Sequence, residues 1–402
     1  MILTVVAKVL SVHGFRERLP AYVTLFFNAA FGGATTVAIP TSLAAGGLTK
    51  AQIAVFFVVN SIIAVSYNVI LMPRVRRCGY PQWALAASTA AVAIGVIVIR
   101  LSLGALPWVF LGGALMMFVS MTVPQVMGRV ALNSTSDAAE GIVANLRMVL
   151  VAGYIIGVGI YGVVAAVGAD ALLVAGCVAA IAFLGALGTE FRGAHAATPE
   201  PAELGRVNTS AVRWSWTFIA ALALVATMKG VDTLRGIYLP LCAVSSGIDP
   251  AAVAPMFMLA SVLELIALPI LARMSSSIGS GFALAIVAGS GVLVFALMLG
   301  TSSYGGLLLS QAVYAVFGAG FQSIGLVLLA QASGTDIGSG ASSYMAVTQI
   351  GTVMGAVLPL VVVGYSASIF LIALILCVLA VVLALIVGIA RKRGTIVAST
   401  HG

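Results

Sequence analysis

Long apolar runs alternate with short polar breaks along the whole chain. Crossing the hydrocarbon of a bilayer takes about 20 helical residues. Runs of that kind fall near 20–45, 51–72, 82–100, 106–128, 139–167, 171–189, 213–242, 251–272, 281–299, 305–331, 340–364 and 367–390. The pattern predicts an all-α membrane protein with twelve transmembrane helices. Several breaks, such as Gly168–Asp170 and Tyr365–Ser366, leave room only for a tight turn.

The runs occur twice over. Residues 39–61 are echoed by 239–261 at an offset of 200, with Pro40/Pro240, Gly47/Gly247, Ala51/Ala251, Ala54/Ala254, Phe57/Phe257 and Ser61/Ser261 identical. A second echo, offset by 199, pairs Asp137 and Gly141 with Asp336 and Gly340. An even number of spans per copy makes both copies enter the membrane in the same direction. Two parallel six-helix repeats are the plan of the major facilitator fold, which implies a solute site between the halves and alternating access. The expected division is an N-terminal six-helix bundle over 1–189, a cytoplasmic linker over 190–212 marked by Pro199 and Pro201, and a C-terminal bundle over 213–402.

Composition agrees with this plan. With 62% hydrophobic and 7% charged residues, the surface must meet lipid rather than water. The net charge of +8 has a topological source. With a cytoplasmic N-terminus, fourteen Lys and Arg fall on the inner side (Lys8 to Arg393), whereas only Lys50 and Arg100 fall outside. This positive-inside bias puts both termini in the cytoplasm and removes the need for a nucleic-acid partner. A multi-pass protein of a bacterial cytoplasmic membrane is expected, as a monomer and without a cleaved signal peptide.

Catalytic signals are missing. Cys78, Cys177, Cys242 and Cys377 have no paired spacing, and His13, His195 and His401 lie in terminal or linker segments. No disulfide, metal or cofactor is therefore expected. The sequence has no HExxH, GxSxG or Walker A motif, which argues against an enzyme. Two glycosylation-like triplets, at Asn133 and Asn208, fall on the expected cytoplasmic side and are read as chance.

Candidate chemistry lies inside the spans. An ionisable side chain at the middle of a span costs about 2.5–3.5 kcal/mol on insertion scales, so each needs a partner, water or a role. Arg147 in the fifth span and Glu264 in the eighth are both about 12–13 Å deep, counting from the cytoplasmic helix ends. Asn28, Gln322 and Gln349 lie at about 12–14 Å and Asn60 at about 18 Å, a polar layer suited to a solute with donors and acceptors. The plainer role of each amide is to join helices by hydrogen bonds. Glu264 and Arg147 break the repeat, since their counterparts are Ala64 and Ala346. Lys229, Asp232 and Arg235 recur every three residues in the seventh span. They read as a partly hydrated ladder of charges, with Asp232 as a second candidate for proton binding or an outer gate. Gly153, Gly157, Gly159 and Gly162 in the fifth span suit close packing where the halves meet.

Several stretches resemble the bacterial sugar-efflux transporters of the major facilitator superfamily. They are FFVVNSIIAV around Asn60, PQVMGR after the fourth span, NLRMVLVAGYIIGVG around Arg147, LPLCAVSSGIDP and MLASVLELIALPILAR. The resemblance implies that Arg147 and Glu264 face a central cavity. It implies a secondary transporter that exports sugars or sugar-like solutes in exchange for protons. Glu264 would be the proton site, pairing with Arg147 when ionised and releasing it to the substrate when protonated. The chain departs from the family at Tyr238, where an acidic residue is usual, in the loops PRVRRCGYP and RMSSSIGSG, and at Gly157-Val158-Gly159, where many exporters have Gly-Pro. Export of amphiphilic drugs or of a secreted metabolite is the alternative.

Overall fold

The computed structural model describes residues 15–78, 82–132, 136–193, 215–301, 303–333 and 337–399. Every extended regular element among them is helical. The first copy contains α1 (Phe15–Ala45), α2 (Lys50–Ser66), a π-helical turn (Tyr67–Leu71), α3 (Met72–Arg77), α4 (Gln82–Leu101), α5 (Leu106–Met116), α6 (Val119–Leu132), α7 (Ser136–Ala166) and α8 (Ala171–Gly193). The second contains α9 (Trp216–Ser245), α10 (Pro250–Ile278), α11 (Ser280–Gly300), α12 (Tyr304–Ser333), α13 (Ile337–Val357) and α14 (Ile369–Ser399). Twelve spans among the described residues are long and apolar enough to cross a membrane. The second span joins α2 to α3 through the π turn, and the fourth joins α5 to α6.

Edges moved where backbone chemistry overrode hydropathy. In the eleventh span the α-helix stops at Val357, seven residues before the apolar run ends at 364, and tightens into a 3₁₀ turn over Leu358–Val361. Pro359 has no N–H to continue the ladder, so the helix cannot run on. At the other boundary α8 continues to Gly193, into the segment expected to be linker; residues 194–212 lie outside the described residues, as do His13, His195, His401 and both glycosylation-like triplets.

Packing divides the chain into two compact units, Met1–Gly47 with Ile62–Leu204, and Leu48–Ser61 with Gly205–Gly402. In the first unit α1 packs on α7 and α8, and α4 on α8 and α5. In the second, α9 packs on α13 and α14, and α11 on α14 and α12, which is the same arrangement one copy later. Glycines allow the closest approaches. A Cβ on Gly153 or Gly157 of α7 would collide with the backbone of Phe26 or Ala30 in α1. A Cβ on Gly351 or Gly355 of α13 would meet Ala226 or Gly230 in α9 in the same way. Gly153 and Gly157 thus serve a seam inside the first unit, not the meeting of halves expected from sequence. Their small size lets α1 and α7 approach until backbones touch.

The shared turn residues also have a structural cause. Gly47 (φ 85°) and Gly247 (φ 84°) both end a helix in the left-handed region that glycine adopts without steric cost. Caps follow at once: the Thr49 Oγ1 accepts from the Gln52 amide, and the Asp249 carboxylate accepts from Ala251 N at 2.7 Å. Asp170 plays the corresponding role for α8, accepting from the amides of Leu172 and Leu173 at 3.0 Å each and pairing with Arg100. Partial burial opposes its ionisation, but Arg100 and the two amides outweigh it and hold Asp170 below the usual carboxylate range. Asp170→Ala should cost about 1 kcal/mol, read as a lower thermal midpoint in detergent. A group with a depressed folded pKa stabilises above its unfolded value, so the difference from wild type should shrink as pH falls below about 4.

Residues 48–61, which the sequence assigns to the first bundle, group with the second unit. Lys50 accounts for part of this. Its ammonium donates to the carbonyls of Val362 and Gly364 at 2.8 Å each, and lies 5.5 Å and 5.8 Å from the ring centroids of Tyr238 and Tyr365. Those carbonyls follow the broken end of α13, where a cation is favoured. The same loop is held to α9 by Ser245, which donates to Tyr365 O, and by Cys242, whose thiol faces Ser366 O at 3.7 Å. Lys50→Ala should loosen this corner, and the buried Cys242 should then react several-fold faster with a thiol reagent.

Candidate functional site

The second unit gathers most of its in-membrane charge where α9, α10 and α12 pack together. Helical spacing puts Lys229 and Asp232 on neighbouring turns of α9, and their side chains pair at 2.6 Å. The other Asp232 oxygen accepts from the Tyr314 hydroxyl of α12. Both carboxylate oxygens are therefore occupied.

Arg235 does not extend this pair into a hydrated ladder. It is buried, at 6% exposure, and its Nε donates to Gln311 Oε1 at 2.6 Å. Its guanidinium lies 3.7 Å from the Tyr314 ring centroid and 4.4 Å from that of Phe257. One turn of α9 carries the side chain away from Asp232 into the contact between α10 and α12. The aromatic faces and Gln311 offset the cost of burying the cation, since a desolvated cation–π contact contributes about 2 kcal/mol. One donor is left over: Arg235 Nη2 is buried and has no hydrogen-bond partner among the described residues.

Glu264 reaches the same cluster from α10. Its carboxylate lies over Gly318 of α12, in the volume a side chain there would fill, beside the edge of Tyr314. Arg235 and Asp232 are near enough for their charges to act on it. No described residue makes a hydrogen bond or ion pair with it. The site therefore holds a compensated part, Lys229, Asp232 and Tyr314, and an uncompensated part, the free Nη2 of Arg235 and the carboxylate of Glu264. No ion pair among the described residues holds this carboxylate to one charge state.

The other candidates are spread more widely. Asn28 is buried on α1 in the first unit. Asn60, on α2, is 2% exposed, and both of its amide atoms lack partners among the described residues. Gln322 is exposed on α12 and Gln349 half-buried on α13, neither bonded to the charged cluster. Arg147 is on α7, but its side chain lies outside the described residues. Sequence reasoning assigned no role at the site to Gln311, Tyr314, Gly318 or Phe257. Gln311, Tyr314 and Gly318 are spaced i, i+3, i+7, one face of α12, and that spacing was the available signal.

No protein-family model matches the chain, and no curated protein sequence does. Solved structures match it along most of its length. One is the nucleoside transporter NupG, at 18% identity and a TM-score of 0.71, covering 92% of this chain and 98% of that one. A second is a peptide transporter POT in complex with sulfate, at 12% identity and a TM-score of 0.73, covering 94% of each chain. The fold is that of the major facilitator transporters. A bacterial homologue of the iron transporter ferroportin, in an inward-facing state, is similar as well, at 13% identity and a TM-score of 0.69, covering 93% of this chain and 98% of that one. At these identities the likeness establishes architecture alone, and the twelve spans long and apolar enough to cross a membrane fit a multi-pass membrane protein.

Proposed function

We propose that this chain is a secondary active transporter of the cytoplasmic membrane that exports a sugar or sugar-like solute in exchange for protons. Glu264 is its proton site. The observation that carries this reading is the Glu264 carboxylate, placed within a membrane span, near the paired Lys229 and Asp232, and left without a partner of its own among the described residues. An unpaired intramembrane carboxylate points to function, because a purely structural one would be tied to a cation. Proton occupancy then biases the balance between conformations by as much as the two states differ in proton affinity.

Asn28, Asn60, Gln322, Gln349 and Arg147 are the proposed solute contacts, and the partnerless amide of Asn60 suits a ligand hydroxyl best. Asp232 is the weaker proton candidate, since Lys229 and Tyr314 already occupy it. Nucleosides carry a sugar ring and belong in the panel, given the resemblance to a nucleoside transporter. The test is solute flux in proteoliposomes under an imposed pH gradient, across hexoses, disaccharides, nucleosides and lipophilic cations. Uptake of a glycosidic solute against its gradient, with matching proton movement, is expected. Transport of lipophilic cations alone would replace the sugar reading with drug export.

A further inference from the structure

The cluster contains one buried donor and one carboxylate without partners among the described residues, and both border the same tyrosine. The Arg235 guanidinium lies against the Tyr314 ring face, whereas the Glu264 carboxylate lies beside the Tyr314 edge over Gly318. A buried guanidinium N–H left without an acceptor is costly. Such a cost persists where another state of the protein satisfies it.

We infer that Arg235 is the resident counter-ion of Glu264, with its free Nη2 taking the carboxylate once the proton has left, and that Gly318 is the gap in which the carboxylate sits. This rests on Glu264 being the proton site. The chemistry is a single O–H dissociation: the proton passes to water, its electron pair stays on the carboxylate, and the new contact is an N–H donated to that oxygen. While Glu264 is protonated the neutral acid exerts no such pull, and Gln311 with the two rings holds Arg235 in place.

Among the described residues, the groups facing Glu264 leave Arg235 as the cation with a free donor. From α9 come Asp232 and Arg235, and from α12 comes Tyr314. Lys229 is held by Asp232, and α11, which also packs on α10, contains no ionisable side chain. Gly318 makes the approach possible, because a methyl group there would displace the carboxylate. Arg235 and Gly318 are positioning residues: they act through Glu264.

Infrared titration of the purified, detergent-solubilised full chain tests this without a known solute. The carboxylic-acid carbonyl band assigned to Glu264 is the one lost in Glu264→Gln, and its disappearance with rising pH gives a midpoint. Arg235→Gln should move that midpoint to higher pH by about one unit or more, since removing a cation favours the neutral acid. Arg235→Lys should restore it most of the way. Gly318→Ala, which changes no charge, should also move the midpoint by displacing the carboxylate, and it decides the matter if Arg235→Gln does not fold. Wild-type midpoints in the folded Arg235 and Gly318 variants would overturn the assignment. That failure differs from failure of the proton-site reading, which shows as gradient-driven transport surviving in Glu264→Gln.

Discussion

Glu264→Gln should abolish pH-gradient-driven accumulation of solute while leaving solute exchange across the liposome membrane measurable. Gln keeps the shape and volume over Gly318 but cannot ionise, so the cluster is fixed in its proton-loaded charge state. Conformations that differ in proton affinity then lose that difference, and the gradient has nothing to act on. Because no ion pair ties Glu264 to another described residue in the structure, the variant should fold with a thermal midpoint near that of wild type. Glu264→Ala is a poorer test, since it opens a hole between α10 and α12 as well. Accumulation equal to wild type in Glu264→Gln would show that the proton is carried elsewhere.

The largest effect on stability should come from the glycine seams. In α7 a Cβ on Gly157 would lie 2.6 Å from the carbonyl carbon of Ala30, and in α13 a Cβ on Gly355 would lie 2.9 Å from the Leu234 amide nitrogen. Backbone cannot move aside as a side-chain tip can, so each Gly→Ala must push two helices apart. Overpacking of this kind costs about 1–3 kcal/mol. The two sites belong to different units and share no partner, so Gly157→Ala and Gly355→Ala should add in the double variant. Thermal unfolding in detergent measures both. Gly236→Ala and Gly289→Ala are the controls, since nothing lies within 4 Å of a Cβ at either position. They should be neutral or stabilising, by up to about 1 kcal/mol of helix propensity.

Apolar periodicity alone was enough to read the twelve spans and their duplication, because a bilayer imposes span length directly and the copies share turn glycines. Gly47 and Gly247 stand at matching helix ends for a reason visible in sequence: both need φ > 0. Helix breaks were less legible, since Pro359 ends α13 inside an apolar run and the π turn at Tyr67–Leu71 has no hydropathy signature. The site was half legible. Glu264 and Arg235 stood out as charges among apolar residues, but whether Arg235 faced water or aromatic rings depended on its contacts with α10 and α12. Spacing along α9 pointed to a ladder, whereas packing separated its third member. Gly318 could not be recognised from sequence, because its role consists of an absent side chain.

The four charges of the cluster have an electrical consequence. With Glu264 ionised, Lys229, Asp232, Arg235 and Glu264 sum to zero; with it protonated they sum to +1. An elementary charge crossing a full membrane potential is worth about 2.3 kcal/mol per 100 mV. The loaded and unloaded clusters therefore respond differently to voltage. A diffusion potential set by potassium and valinomycin, at equal pH on both sides, should drive the cycle by itself.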